Sequence, residues 1–272
     1  MIELVGKIGS MALINKQDND IDYNIIARLS RELKPGWVWV SSGATEIGRL
    51  DYLHRTGKEL TGGGEEDKAD YAAQGQTVLM QNYRRFIAPN YSVRQLLVEH
   101  QHFNDEQKRA HLRAFLLRCA EQNAVPIVNY NDPVSFEENR KLEVRALQTA
   151  KSKVVECVDN DETAAQIACL VGAKYLVILT SADGIYYDAA DPSTLVSEIT
   201  GTNGMETLAA IERYKERCNG TSRKGSGGAR AKLEYIKDAV LAGTVVKIAS
   251  SKCSIADILG GKCRCTTVGI VK

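Results

Sequence analysis

Trp37-Val38-Trp39-Val40-Ser41-Ser42-Gly43-Ala44 is an unbroken apolar run closed by small residues. A strand without a polar face is buried on both sides, as in parallel sheets covered by helices. Just upstream, Pro35-Gly36 ends a segment in which Ile21, Ile25, Leu29 and Leu33 keep helical spacing behind Asp20, a candidate N-cap. The β-rich run Glu3-Leu4-Val5 precedes that segment. Downstream the alternation repeats: a helix around Lys68 to Phe86, a strand around Val93 to Val98, a helix from about Asp105 to Gln122 and a strand Val125 to Val128. A helix through Ala164 to Val171 follows, then strands Tyr175 to Leu179 and Val245 to Ala249. This order predicts right-handed βαβ crossovers and an α/β fold, a three-layer αβα sandwich on a mainly parallel open sheet.

Three stretches interrupt the alternation: Thr61-Gly62-Gly63-Gly64, the charged segment Pro133 to Glu156 with helical propensity, and the Gly/Ser/Lys loop Asn219 to Gly228. None is long enough to separate independent domains, so residues 1–272 read as one domain.

The balance of 35 Lys plus Arg against 34 Asp plus Glu gives no bulk field to attract nucleic acid or an anionic membrane. The expected partner is a small molecule. No apolar run approaches the roughly 18 residues of a membrane span, and Met1-Ile2-Glu3-Leu4-Val5 has no basic region before an apolar one. A cytoplasmic location is therefore expected. The seven cysteines form no CxxC pair, which favours reduced thiols, with Cys253, Cys263 and Cys265 as packing residues and no metal site. The four histidines, His100 and His102 among them, read as surface residues.

Standard nucleotide motifs fail. Gly220 to Ser226 has the Walker spacing but serine in place of the lysine, and Gly225 to Arg230 starts like a dinucleotide fingerprint but puts Arg230 at the last glycine. Even so, Gly225, Gly227 and Gly228 lead into a helix containing Lys232, a start suited to an anion. Lys7-Ile8-Gly9-Ser10 and Ser41-Ser42-Gly43-Ala44 end strands at the sheet edge where ligands bind in open α/β folds. Ordinary turns would look the same. Asn129-Tyr130-Asn131-Asp132 and Asp159-Asn160-Asp161-Glu162 suit an ammonium, a lysine or hydrated Mg²⁺, or else caps and Asx-turns, and capping is the better account of Asp159. Thr180-Ser181-Ala182-Asp183-Gly184-Ile185-Tyr186 suits a nucleoside or a plain Asp-Gly turn.

Taken in order, these segments resemble the amino acid kinase family over nearly the whole chain, and within it the glutamate 5-kinases without their C-terminal PUA domain. Ala72-Ala73-Gln74-Gly75-Gln76 with Leu79-Met80, and Pro126-Ile127-Val128 before Asn129, belong to the same likeness. The resemblance implies ATP-dependent phosphorylation of a small acid with Mg²⁺. Lys7 and Lys232 would stabilise the phosphoryl group and Asp161 would orient them. Ser42, Gly43, Ala44, Asp132 and Asn160 would hold the acid. Gly9, Ser10, Thr180, Asp183, Tyr186, Gly227 and Gly228 would hold the nucleotide. It also implies an acceptor half over about 1–170, a nucleotide half over about 171–272, and a homodimer or higher homo-oligomer.

The chain departs from the family in three places. The Asp132–Asn160 stretch is longer than in glutamate 5-kinases and carries Arg140, Lys141, Arg145, Lys151 and Lys153. Ala229-Arg230 stands where the family usually has Gly-Met, and Met11 replaces a small polar residue. The basic stretch leaves open a phosphorylated acceptor, against a solvated helix balanced by Glu137, Glu138 and Glu143. A non-catalytic sensor or storage protein on the same scaffold is the third possibility.

Overall fold

The computed structural model describes residues 1–135, 137–151, 154–157, 159–217 and 228–271. Lys153, Gly227 and most of the Gly/Ser/Lys loop lie outside them. Eight strands form one sheet: β1 (Leu4–Ile8), β2 (Trp37–Ser41), β3 (Ser92–Val98), β4 (Ala124–Tyr130), β5 (Tyr175–Thr180), β6 (Glu198–Gly201), β7 (Val245–Ser250) and β8 (Cys265–Ile270). Their order is β6-β8-β7-β5-β1-β2-β4-β3. Only β6 and β8 run against the other six, so the sheet is mainly parallel, as the alternation implied.

Every residue of β1 and β2 is buried. Val38 and Val40 face one apolar cluster and Trp37 and Trp39 the other, because successive side chains alternate faces. Trp39 donates its indole N–H to the buried Tyr83 hydroxyl at 2.9 Å. Its ring lies against Gly6, where a Cβ would come within 2.2 Å of it.

Helices cover both faces: α1 (Tyr23–Glu32), α2 (Ala44–Thr56), α3 (Glu65–Phe86), α4 (Glu106–Glu121), α5 (Glu137–Ala150), α6 (Asn160–Val171), α7 (Gly204–Arg217) and α8 (Gly228–Tyr235). The cap of α1 is Asp22, which accepts from the Ile25 N–H at 3.0 Å. Asp20, the expected cap, lies instead in a short strand, Asp20–Ile21, paired with Ile14–Asn15. The sequence pattern did not reveal α2. It packs so tightly on α3 that a Cβ on Gly48 would sit 1.8 Å from the Tyr71 carbonyl oxygen, and one on Gly75 1.8 Å from that of Ala44.

Two further expectations fail. Cys253 and Cys263 are joined in a disulfide, because the short helix Ile255–Leu259 folds the chain between them back until their Cα atoms are 6.4 Å apart. Among the described residues Cys119, Cys157 and Cys265 carry free thiols. His100 is buried, not on the surface: it follows β3 beneath α5, and its Nε2 lies 3.0 Å from a Glu143 carboxylate oxygen. No helix among the described residues is long and apolar enough to cross a membrane.

Candidate active site

The winding of the sheet reverses at β1, which pairs with β2 on one side and β5 on the other. The crevice beyond the carboxyl ends of such strands is where open α/β sheets bind ligands. Lys7, Ser42, Asn129 and Thr180 lie at or next to the ends of β1, β2, β4 and β5. The start of α6 points into the same place. Asp159 caps it, accepting from the Asp161 N–H at 2.6 Å and the Glu162 N–H at 3.2 Å, and thereby fixes Asp161 in the first turn.

Asp161 joins the two ends of the chain. Its Oδ1 is 2.5 Å from Lys7 Nζ and its Oδ2 is 2.9 Å from Lys232 Nζ. Lys7 and Asp161 are 7% and 3% exposed, so these charges interact in a medium of low dielectric. Burial pushes the Asp161 carboxyl upward, but Lys7 and then Lys232 outweigh it and hold the group below the usual carboxylate range. Asp159, beside it, is shifted the other way by burial and then by the charge of Asp161.

A second chain of side chains runs across the strand ends. Asn160 Nδ2 donates to Ser42 Oγ at 3.1 Å and to Asn129 Oδ1 at 2.8 Å, and Asn129 Nδ2 donates to Gln76 Oε1 at 2.8 Å. This relay fixes each amide's orientation and leaves the buried Asn160 Oδ1 and Gln76 Nε2 without protein partners among the described residues. Buried polar atoms are rarely unpaired, so the orphan acceptor at one end of the relay and the orphan donor at the other are groups that a polar ligand would complete.

Two cavities meet here. One, of about 360 Å³, is bordered by Ser42, Gly43, Ala44, Asp132, Arg140 and Asn160. The other, of about 520 Å³, is bordered by Lys7, Gly9, Asp161, Thr180, Gly228 and Lys232. Ser10, Met11, Ser42, Asp159 and Asn160 border both. Of the residues singled out in the sequence, Asp183 and Tyr186 stand apart: they pair with each other at 3.1 Å, past the Thr180-Ser181 lining. Gly227 lies outside the described residues. Lys16, which borders the larger cavity, had no signal in the sequence, because the two-residue strands flanking its turn are too short for a period to show.

Residues 4–250 match the amino acid kinase family. The chain belongs to the amino acid kinase family. The kinase is 31% identical to a glutamate 5-kinase of Gloeobacter violaceus, over 96% of its own length and 67% of that protein. It is 29% identical to a glutamate 5-kinase of Alkaliphilus metalliredigens, over 86% and 82% of the respective lengths. Its fold is shared with a carbamate kinase from Giardia lamblia bound to AMP-PNP, at a TM-score of 0.60 and 15% identity, covering 99% of this chain and 98% of that one.

The described residues of the kinase contain no group of three or more His, Cys, Asp and Glu able to hold a metal ion, and both Asp161 oxygens face lysines. Mg²⁺ commonly binds through substrate phosphates, water and one or two carboxylates rather than an all-protein cage. The donor set here fits Mg²⁺ arriving on a nucleotide.

Proposed function

We propose that this kinase transfers the γ-phosphoryl group of ATP to the side-chain carboxylate of a small amino acid, glutamate or a near relative, giving an acyl phosphate. One observation carries the proposal: a buried carboxylate holding two lysines where two cavities meet. The names of its relatives support the choice of acceptor.

A carboxylate oxygen of the acceptor attacks the γ-phosphorus, the bond from phosphorus to the β–γ bridging oxygen breaks, and ADP leaves with that electron pair. The nucleophile is already ionised, so no general base is required. Phosphoryl transfer asks the protein mainly for alignment and charge neutralisation. Lys7 and Lys232 supply the positive charge, and Asp161, a positioning residue, fixes where their ammonium groups stand. Ser42, Asp132 and Asn160 hold the acceptor over the Gly43-Ala44 start of α2. Gly9, Ser10, Thr180 and Gly228 border the nucleotide, with the Asp183–Tyr186 pair at its outer end. Mg²⁺, when bound with the nucleotide, neutralises phosphate oxygens. Assembly as a homodimer or higher homo-oligomer and a cytoplasmic location complete the proposal; light scattering checks the first.

Hydroxylamine trapping tests the chemistry. With ATP, Mg²⁺ and glutamate a hydroxamate is expected, and consumption of ATP on another acceptor with no hydroxamate from any amino or carboxylic acid would sink the proposal. Lys232→Ala should lower kcat about 10²-fold, the scale of one lost transition-state donor, and change ATP affinity only a few-fold. A loss of ATP affinity with kcat unchanged would assign Lys232 to binding alone.

Asp132 makes a pH prediction. Burial pushes its carboxyl up to about 6, against the opposing pull of Arg140. If the ionised form holds an ammonium, acceptor KM should be flat above about pH 7 and rise about tenfold per unit well below 6. A carboxyl raised on folding lowers stability progressively as pH climbs from its ordinary range through the folded pKa, and the loss is complete above it. Asp132→Asn should therefore melt higher than the wild type at pH 7.5, match it near pH 4, and bind acceptor worse. A variant that is both less stable at pH 7.5 and unchanged in KM would refute this account.

A further inference from the structure

We propose that Arg140, carried into the acceptor cavity by α5, binds the non-reacting carboxylate of the acceptor, so that the kinase selects amino acids bearing two carboxylates. The inference rests on reading that cavity as the acceptor site and goes beyond it in naming what the inserted helix recognises.

The placement follows from helical period. Arg140, Val144 and Leu147 are the residues of α5 that turn inward, at spacings of four and three, while the rest of the described helix is exposed. Arg140 is thus the one basic residue of α5 directed at the cavity. Lys141 pairs with Glu137 on the surface, Arg145 is exposed, and Lys151, just past the helix, donates to the Asn104 carbonyl. The basic segment is mostly a solvated face with one guanidinium turned in.

That guanidinium is held but not neutralised. Its Nη1 donates to the Cys157 carbonyl at 3.3 Å, and its carbon lies 5.9 Å from the centre of the Tyr130 ring. No described carboxylate lies within ion-pair distance of it. A guanidinium has five N–H donors, so most remain for a ligand. Asp132, on the same cavity wall, has no hydrogen-bond partner among the described residues either. A carboxylate and a guanidinium, both unsatisfied on one cavity, complement the ammonium and carboxylate of an amino-acid head group.

The cavity also has a direction. Ser42 and Asn160 border the nucleotide side, whereas Asp132 and Arg140 continue into an outer recess with Thr45, Lys68 and Tyr130. An acceptor therefore places its reacting carboxylate at the junction and its head group outward. Charge argues for a carboxylate over a phosphate at that outer end. Asp132, Asp159 and Glu46 border the cavity with Arg140, and Glu46 is already paired with Arg49 at 2.8 Å. In the outer recess Arg140 and Lys68 are matched by Asp132 and Glu65, with Glu137 taken by Lys141, so a zwitterionic head group keeps the recess neutral whereas a phosphate dianion leaves it with excess negative charge.

Calorimetric dissociation constants for L-glutamate and 4-aminobutyrate, which lacks the α-carboxylate, test this on wild type, Arg140→Ala and Arg140→Lys. Arg140→Ala should weaken glutamate binding about 30-fold, the scale of a hydrogen bond to a charged group, and Arg140→Lys should recover part of it. 4-Aminobutyrate should bind at least about tenfold more weakly than glutamate to the wild type, with no further loss in Arg140→Ala. Melting curves confirm that each variant is folded, and if Arg140→Ala does not fold, Arg140→Lys and the wild-type selectivity decide. Overturning results are an unchanged glutamate constant, equal losses for both ligands, no binding of either acid by the wild type, or tighter wild-type binding of O-phosphoserine than of glutamate. Glutamate binding that depends on Arg140 without hydroxamate formation would sink the proposed reaction and leave the carboxylate site standing.

Discussion

Asp161→Asn is expected to lower turnover about 10³-fold while ATP binds as tightly as in the wild type or more tightly. The amide matches the carboxylate in volume, and the cap of α6 is untouched because Asp159 supplies it. What changes is charge. Two ammonium groups now held on opposite oxygens of one anion would face a neutral side chain and repel each other. Removing one partner of a buried pair is strongly destabilising, on the order of 3–5 kcal/mol, and the lower end applies because the Lys232 side chain is 19% exposed. Polyphosphate would relieve the exposed positive charge, so nucleotide affinity is maintained or rises. The lysines would no longer be aimed at the transferring group, and kcat falls. A depressed carboxyl contributes stability that is present above its ordinary pKa and disappears as pH drops through the folded value. The melting difference between wild type and variant should accordingly be full at neutral pH and shrink in acid. Turnover within about tenfold of wild type would show that Asp161 does not position the lysines.

How far this site is legible in the sequence differs residue by residue. Lys7, Ser42, Asn129 and Thr180 sit at the ends of apolar runs, and the rule that ligands gather at strand ends marks them before any coordinates. The capping role of Asp159 is equally local. That Lys7 and Lys232 share one carboxylate is not local at all. It depends on β5 crossing to the far side of β1 and on α8 returning over the sheet, neither of which a period in the chain encodes. The segment after Asp132 reads correctly as a charged helix, but a count of its charges hides that only Arg140 turns inward. Cysteine spacing says nothing about a helix that folds its loop back, which hides the disulfide, and the short edge strand β6 and its neighbour β8 mix polar and apolar residues without a clear period.

Gly75→Ala is expected to lower the melting temperature by about 6–12 °C, although alanine is the better helix former by about 1 kcal/mol. Sterics decide the sign. The added Cβ would meet the Ala44 carbonyl oxygen at 1.8 Å and the Gly48 nitrogen at 2.4 Å, all backbone atoms that no rotamer change can move. Helices α2 and α3 must separate, and overpacking of this kind usually costs about 1–3 kcal/mol, more where backbone opposes backbone. At about 2–4 °C per kcal/mol in a chain near this size, a loss of about 3 kcal/mol gives the stated shift. The same contact ties stability to the site. Ala44 begins the helix that borders the proposed acceptor cavity, and Gln76, next to Gly75, anchors Asn129 and through it Asn160. The larger cavity has no α3 residue in its wall. In the folded fraction, acceptor KM should therefore rise while ATP affinity stays within a few-fold. A Gly75→Ala protein as stable as the wild type would show that the two helices are not locked at this crossing, and a matching loss of ATP affinity would show that the damage is not confined to the acceptor side.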